Sequence, residues 1–109
     1  MIVAERMLYI ETKAARVPVA VRIELPSYER EAWTCNFSIG WPEGTAHHYG
    51  MGADGVQALH SALRIIAIHL YASPYHRQRT LVFDEPGDGY GFPLPVGSRD
   101  QALGHDKSL

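Results

Sequence analysis

A glycine motif is the first feature whose residue types and spacing suggest chemistry. Residues 50–55 read Gly-Met-Gly-Ala-Asp-Gly and match G-x-G-x-x-G, a pattern that places a dinucleotide pyrophosphate at a helix N-terminus. Asp84 mimics the acid that binds ribose, but it lies well beyond the usual spacing of about 20 residues. Asp54 would also put a negative charge where the pyrophosphate sits. We therefore interpret the glycines as a turn from a strand into a helix.

Histidines form the second group, because imidazole is a common metal ligand. The chain has six: His47, His48, His60, His69, His76 and His105. Adjacent strand residues point to opposite faces, and His60 and His69 are about half a turn out of phase on a helix. Neither H-E-x-x-H nor a paired-cysteine spacing is present. We predict no metal site and no cofactor.

Nucleophilic catalysis also finds no support in the sequence. The single cysteine, Cys35, alternates in phase with Trp33 and Phe37, which predicts a buried and inert thiol. Ser61 and Ser73 lack the context of a nucleophile elbow. With no catalytic residue to name, we favour a protein that is not an enzyme.

Tyrosine and arginine side chains make the most coherent polar surface. Gln57, Arg64 and Tyr71 are spaced by seven residues, so they share one stripe of a helix, and tyrosine and arginine are favoured at protein interfaces. The predicted interaction surface comprises Gln57, Arg64, Ile65, Ile68, Tyr71, Tyr75, Arg77 and Arg79. Ile65 and Ile68 fall on the far side of this helix, where the stretch Phe92-Pro93-Leu94, a second subunit or another protein would cover them, or where they stay exposed as isolated apolar residues.

Two functions follow as alternatives. The first is a non-enzymatic interaction or accessory module, of the kind an immunity protein represents, acting as a homodimer or with a protein partner. The second is a small-molecule binder or enzyme with a pocket between the sheet and the Gly50–Gly55 loop, lined by His48, Tyr49 and His60. The basic run at residues 76–79 reads as a solvated loop near a helix end, with an anion contact as its alternative.

Period-two alternation dominates the N-terminal half. Val17 to Leu25 and Trp33 to Trp41 alternate apolar and polar residues, which predicts strands with one buried face. A weaker strand signal covers residues 7–10, and the Trp41-Pro42-Glu43-Gly44 turn leads into a strand at residues 45–51. The first half is therefore predicted to be an antiparallel meander.

The period changes to 3.6 at Asp54. Val56, Leu59, Leu63, Ile66 and Leu70 are spaced 3, 4, 3 and 4, which predicts an amphipathic helix from Asp54 to Ser73. Asp54 and Gln57 match a capping box, and Ser73-Pro74 ends the helix. A strand at residues 80–83 follows, then an extended segment at 90–95, and a frayed tail is predicted from residue 97 to 109.

Length and charge limit the remaining alternatives. The chain of 109 residues, with 46% hydrophobic and 20% charged residues, predicts one globular domain over residues 1–96. The formal net charge of −2 disfavours nucleic acid as a partner. No apolar stretch reaches the roughly 20 residues that span a bilayer, and a single cysteine fits a reducing cytoplasm.

Two motifs resemble a known group of proteins. Asp54-Gly55-Val56-Gln57-Ala58-Leu59 and Gly91-Phe92-Pro93-Leu94-Pro95 are similar to those of a group of small uncharacterised bacterial domains, in which a strand meander leads into such a helix and the chain closes on a G-F-P element. The resemblance implies a bacterial origin and an α+β fold of order β-β-β-β-α-β, and it carries over no site.

The core prediction completes the sequence analysis. We expect four or five antiparallel strands packed against one long helix. The predicted core residues are Val19, Val21, Ile23, Trp33, Phe37, Ile39, Leu59, Leu63, Ile66 and Leu70.

Overall fold

The alternating residues of the first half form an antiparallel sheet, and the amphipathic segment forms one long helix against it. A computed structural model describes residues 1–109. Its elements are β1 (Ile2–Glu11), β2 (Arg16–Glu24), β3 (Ser27–Glu29), β4 (Ala32–Trp41), β5 (Gly44–Gly52), α1 (Gly55–Ala72), α2 (Pro74–Arg77) and β6 (Leu81–Val82). The predicted α+β class is confirmed. None of the helices is both long and apolar enough to span a membrane.

The sheet has six strands, and every pairing is antiparallel. Strand β4 pairs with β5 along one edge and with β2 and β3 along the other, while β1 lies between β2 and β6. The first strand is longer than the predicted residues 7–10, and β3 was not predicted. The first strands therefore form a meander, and β6 pairs with the edge of β1 that β2 leaves free.

Helix α1 lies directly against strand β5 because two glycines leave room for its backbone. A β-carbon at Gly50 would lie 2.3 Å from the backbone nitrogen of Ala62, and one at Gly52 would lie 2.6 Å from that of Ala58. Real β-carbons essentially never come so close to other atoms. The glycines of the nucleotide-like motif therefore serve helix packing.

The buried face of α1 is rotated from the predicted one. Its buried residues are Ala58, Ala62, Ile66, Ala67, Leu70 and Tyr71. Leu59 and Leu63 are only partly buried, and Val56 is 79% exposed. Because the helix approaches β5 backbone to backbone, small residues occupy the centre of the contact and the leucines lie at its margin.

Most of the predicted core is confirmed in the sheet. Val19, Val21, Ile23, Phe37 and Ile39 are buried. Trp33 is 37% exposed and was wrongly placed in the core. It lies at the start of β4, where its ring is close to Gly55 at the beginning of the helix and meets the Tyr28 ring edge to face.

The two helix ends follow the predicted capping. Asp54 accepts a hydrogen bond from the Gln57 backbone N–H, while the Gln57 side chain accepts one from the Ala53 N–H, a residue earlier than a strict capping box. At the other end the Ser73 hydroxyl donates to the Leu70 carbonyl and accepts from the His76 N–H, so one residue ends α1 and begins α2.

The end of the chain corrects the prediction of a frayed tail. Residues Val96–Gln101 and Gly104–Ser108 form short 3-10 helices. Ala102 and Asp106 are 4% and 1% exposed. Before them, Phe92 and Leu94 are buried, and Arg6 of β1 holds this stretch through a hydrogen bond to the Gly91 carbonyl. Ile68 remains 43% exposed, so the stretch does not cover it.

Gly50→Ala tests whether close backbone approach sets the position of α1. The added methyl group overlaps the Ala62 backbone, and overpacking of this kind costs about 1 to 3 kcal/mol of unfolding free energy. Urea denaturation measures the loss. Gly97→Ala is the control, because no atom lies within 4 Å of its added carbon. Equal stability of the two variants would contradict this packing.

Candidate functional site

Basic and aromatic side chains meet beyond the C-terminal end of α1 and surround a cleft of about 860 Å³. We call it the basic cleft. Helix α2 supplies one wall, and the loop after β6 together with Leu103 supplies the opposite side. Its lining residues are His76, Arg77, Arg79, Leu81, Pro86, Gly87, Tyr90 and Leu103.

Two arginines give the basic cleft its charge. Arg77 and Arg79 are exposed, and neither forms an ion pair. The Arg77 guanidinium donates one hydrogen bond, of 3.1 Å, to the Ala72 carbonyl. Arg79 follows Gln78, the C-cap of α2, and has a backbone φ of +59°, in the left-handed region that favours glycine. Both guanidiniums therefore keep donors available to a ligand.

A histidine and a tyrosine form the inner wall. His76 Nδ1 and the Tyr90 hydroxyl lie 2.5 Å apart. Burial lowers the pKa of His76. Burial also raises the pKa of Tyr90, and the negative charge of the nearby Asp106 carboxylate raises it further. Both groups are therefore neutral at neutral pH, when each can donate or accept a hydrogen bond.

Behind this wall lies a buried hydrogen-bond network centred on Asp106. Its carboxylate accepts from the Tyr71 hydroxyl at 2.7 Å and from the Tyr90 and Gly91 backbone N–H groups at 2.8 Å each. The Tyr71 hydroxyl in turn accepts from the Leu103 N–H at 2.9 Å. Burial is the main cause of the raised pKa of Tyr71. The network joins helix α1, the loop after β6 and the C-terminal segment (residues 95–109).

The predicted interaction surface is not one continuous surface. Tyr71 is 8% exposed and lies inside the network, so the stripe from Gln57 through Arg64 ends before it. Tyr75 stacks on Trp41 with ring centroids 5.4 Å apart and donates a hydrogen bond to Glu43. Sequence reasoning placed these tyrosines outside because a helical wheel does not show what lies beyond the helix end.

The remaining members of that surface divide into two groups. Gln57 caps α1, while Arg64 and Ile65 are partly buried and Ile68 is exposed on the same helix. Arg77 and Arg79 lie apart from them in the basic cleft.

The structure brings together only part of the second predicted site: His48 and Tyr49 line a small cleft of about 230 Å³, and His60 lies outside it. His48 stacks on His69 with centroids 4.1 Å apart, whereas Tyr49 lies under the Arg30 guanidinium and His60 is exposed on the helix. Successive strand residues face opposite sides of the sheet. Because the backbone of α1 lies directly against Gly50 and Gly52, the helix fills the space over these two residues where the ligand was predicted.

Sequence reasoning missed Tyr90 and Asp106 as members of the site. One signal was present: Gly87, Gly89 and Gly91 alternate through this loop, and all three have positive φ. A β-carbon at Gly89 would lie 2.5 Å from the Asp106 carboxylate. Such glycines mark a backbone that wraps closely around another group.

The fold and the cleft define a small α+β domain in which one long helix packs against an antiparallel sheet, and Tyr90, Phe92, Leu94 and Ala102 join the same hydrophobic core. The chain belongs to DUF6968, a domain of unknown function, which it matches over residues 4–94. The resemblance to a family without an assigned function is thereby confirmed. Comparison with curated proteins found no match, and comparison with solved structures found none.

Stability should fall in mildly acidic solution because two histidines are held neutral. Burial lowers the pKa of His69 and of His76, and the adjacent His48 adds to the effect on His69. The unfolded chain therefore binds protons first, so the stabilisation is complete above the unfolded pKa of about 6.5 and is lost as the pH falls from there through the lower pKa of the folded state.

Urea denaturation on the two sides of that pH measures the effect. His69→Gln should reduce the pH dependence, while His60→Gln, at an exposed position, should leave it unchanged. If the unfolding free energy of His69→Gln changes with pH as it does in the unaltered chain, His69 is not a source of the pH dependence.

Proposed function

We propose that this domain is a binding module that takes a small anionic molecule in its basic cleft. The observation that carries the proposal is the pair of guanidiniums, Arg77 and Arg79, on one cleft without a carboxylate partner. Planar guanidinium groups present several donors that match the oxygens of carboxylates and phosphates.

The size and lining of the cleft support a ligand of metabolite size. Its volume of about 860 Å³ lies within the range of about 300–1,000 Å³ typical of small-molecule sites. Leu81, Pro86 and Leu103 supply apolar surface, and His76 and Tyr90 supply neutral polar groups. This combination suits an anion that also carries an apolar or aromatic part.

The backbone of Arg79 adds an independent argument. A left-handed conformation costs a residue other than glycine about 1 to 2 kcal/mol, and Arg79 adopts it at a position where helices often place glycine. Strain of this kind clusters at functional sites. An arginine that destabilises its own turn is consistent with a side chain kept for binding.

Arg79→Gly separates stability from binding, because the two should change in opposite directions. Relief of backbone strain should raise the unfolding free energy by up to about 1 kcal/mol. Loss of a charge-assisted hydrogen bond should weaken anion binding by about 1.5 to 3 kcal/mol. Thermal melts against a panel of small carboxylates and phosphates identify a ligand, since one present at 100 times its Kd adds about 2.7 kcal/mol.

Matched variants complete this experiment. Arg77→Gln should weaken the same ligand, whereas Arg99→Gln, an exposed arginine outside the cleft, should bind it as the unaltered chain does. A panel without any stabilising anion, or one in which every stabilising anion binds Arg79→Gly and Arg77→Gln at full affinity, would refute the proposal.

The interaction-module hypothesis has one supporting observation, the exposed Ile68. It is 43% exposed and lies one helical turn from the partly buried Ile65, so the two isoleucines are neighbours on the helix surface, and contiguous apolar patches mark interaction sites. We expect the dimer fraction in native mass spectra to fall in Ile68→Lys and to persist in Val56→Lys, which alters another exposed residue of α1. A chain that is monomeric throughout would exclude the homodimer.

A further inference from the structure

Two successive backbone N–H groups in the loop after β6 point at the two oxygens of one carboxylate. The Tyr90 N–H donates to Asp106 Oδ2 and the Gly91 N–H donates to Oδ1, each over 2.8 Å. Gly89 and Gly91, on either side of Tyr90, have φ values of +86° and +79°. Successive N–H groups of a turn with such angles form an anion-binding concavity known as a nest.

A third donor completes the arrangement. The Tyr71 hydroxyl donates to Oδ2 over 2.7 Å, so Oδ2 accepts two hydrogen bonds and Oδ1 accepts one. No cation pairs with Asp106. Hydrogen bonds from three neutral donors therefore compensate the free energy that the carboxylate loses when it leaves water. We call this group, formed by the Tyr90 and Gly91 amides and the Tyr71 hydroxyl, the carboxylate nest.

The donors and the acceptor come from different parts of the chain. Tyr71, Tyr90 and Gly91 lie within residues 4–94, which match the family, and Asp106 lies beyond them. In the 3-10 helix Gly104–Ser108, Asp106 is the one buried residue. The site is thus built by the family domain and filled by a single side chain of the C-terminal segment (residues 95–109).

We infer that the carboxylate nest is a binding site for a free carboxylate, which Asp106 occupies in cis and blocks. A carboxylate-bearing small molecule competes with Asp106 and releases the C-terminal segment. Because Tyr90 also lines the basic cleft, release of Asp106 opens the nest beside that cleft.

The geometry favours a carboxylate over a phosphate. The two amides and the hydroxyl donate hydrogen bonds to the two oxygens of one planar group. Gly89 allows that group to lie where a β-carbon would come within 2.5 Å of it. A tetrahedral phosphate carries further oxygens for which this site offers no donor.

The nest uses none of the guanidiniums on which the proposed function rests. Arg77→Gln and Arg79→Gly should therefore leave carboxylate binding at the nest unchanged, and Asp106 variants should not abolish anion binding through the arginines. Failure of one proposal is distinguishable from failure of the other.

Formate added to the full chain carrying Asp106→Ala tests the inference. Formate fits the space left by the carboxylate, and the amide 15N and 1H shifts of Tyr90 and Gly91 report its binding. We expect saturable shifts of both amides and a rise in melting temperature above that given by chloride at equal ionic strength. The unaltered chain should need a formate concentration at least about tenfold higher than Asp106→Ala for the same shifts, because its own carboxylate competes at high effective concentration.

Controls make the result specific. Asp100→Ala removes an exposed carboxylate from the same segment and should respond to formate as the unaltered chain does. Tyr71→Phe, added to Asp106→Ala, should weaken formate binding several-fold. Where Asp106→Ala does not fold, Asp106→Ser keeps one oxygen acceptor and leaves space for formate.

The other outcomes overturn the inference. Folded variants whose Tyr90 and Gly91 amides do not respond to formate would show that the nest has no affinity for a free carboxylate. A response to phosphate alone would refute the assignment to carboxylates. In the unaltered chain, saturating formate must also increase hydrogen exchange in residues 100–109, and unchanged exchange would refute the release of the segment.

Discussion

The close contact between helix α1 and strand β5 is the constraint on which the rest of the structure depends. Gly50 and Gly52 present no side chain to the helix, and Ala58 and Ala62 meet them with small ones, so the two backbones nearly touch. This approach fixes the rotation of the helix about its axis. It buries one row of residues and leaves another at the margin. It also fills the space that a ligand would need on that side.

The same placement determines where polar groups can gather. With α1 held on β5, its last turn buries Tyr71 beneath the C-terminal segment, and Ser73 redirects the chain into α2. The arginines of α2 and of the turn after it then face the loop that follows β6. This loop meets α2 at the contact between Tyr90 and His76 and bends around the Asp106 carboxylate, and the cleft lies beside that contact.

Glycines have two different uses in this chain, and both position the site. In β5, Gly50 and Gly52 allow the backbone of α1 to lie close to the strand. In the loop after β6, Gly89 and Gly91 permit positive φ angles that turn successive amides toward Asp106. The buried carboxylate is satisfied by hydrogen bonds alone, so the network has little tolerance for losing a donor. The site is therefore closed by hydrogen bonds on its buried side and open on its basic side.

Much of the fold could be predicted because its signals are local. Alternation in β2 and β4, the change of period at Asp54 and the proline after Ser73 each report on neighbouring residues, and such patterns follow from backbone geometry. The exposure of Trp33 could not be predicted in this way, because its position at a strand end depends on what packs beside it. The alternation in the sequence is the same in either case.

By itself, the sequence determined the fold class, the capped helix and most of the residues on the inner face of the sheet. Only the tertiary structure decided which face of α1 is buried, that Tyr71 is internal, and that Asp106 meets Tyr90 and Gly91. The physical reason is that these outcomes depend on contacts between residues far apart in the chain. Hydrophobic periodicity records the size and polarity of side chains, and it does not record how closely two backbones can approach.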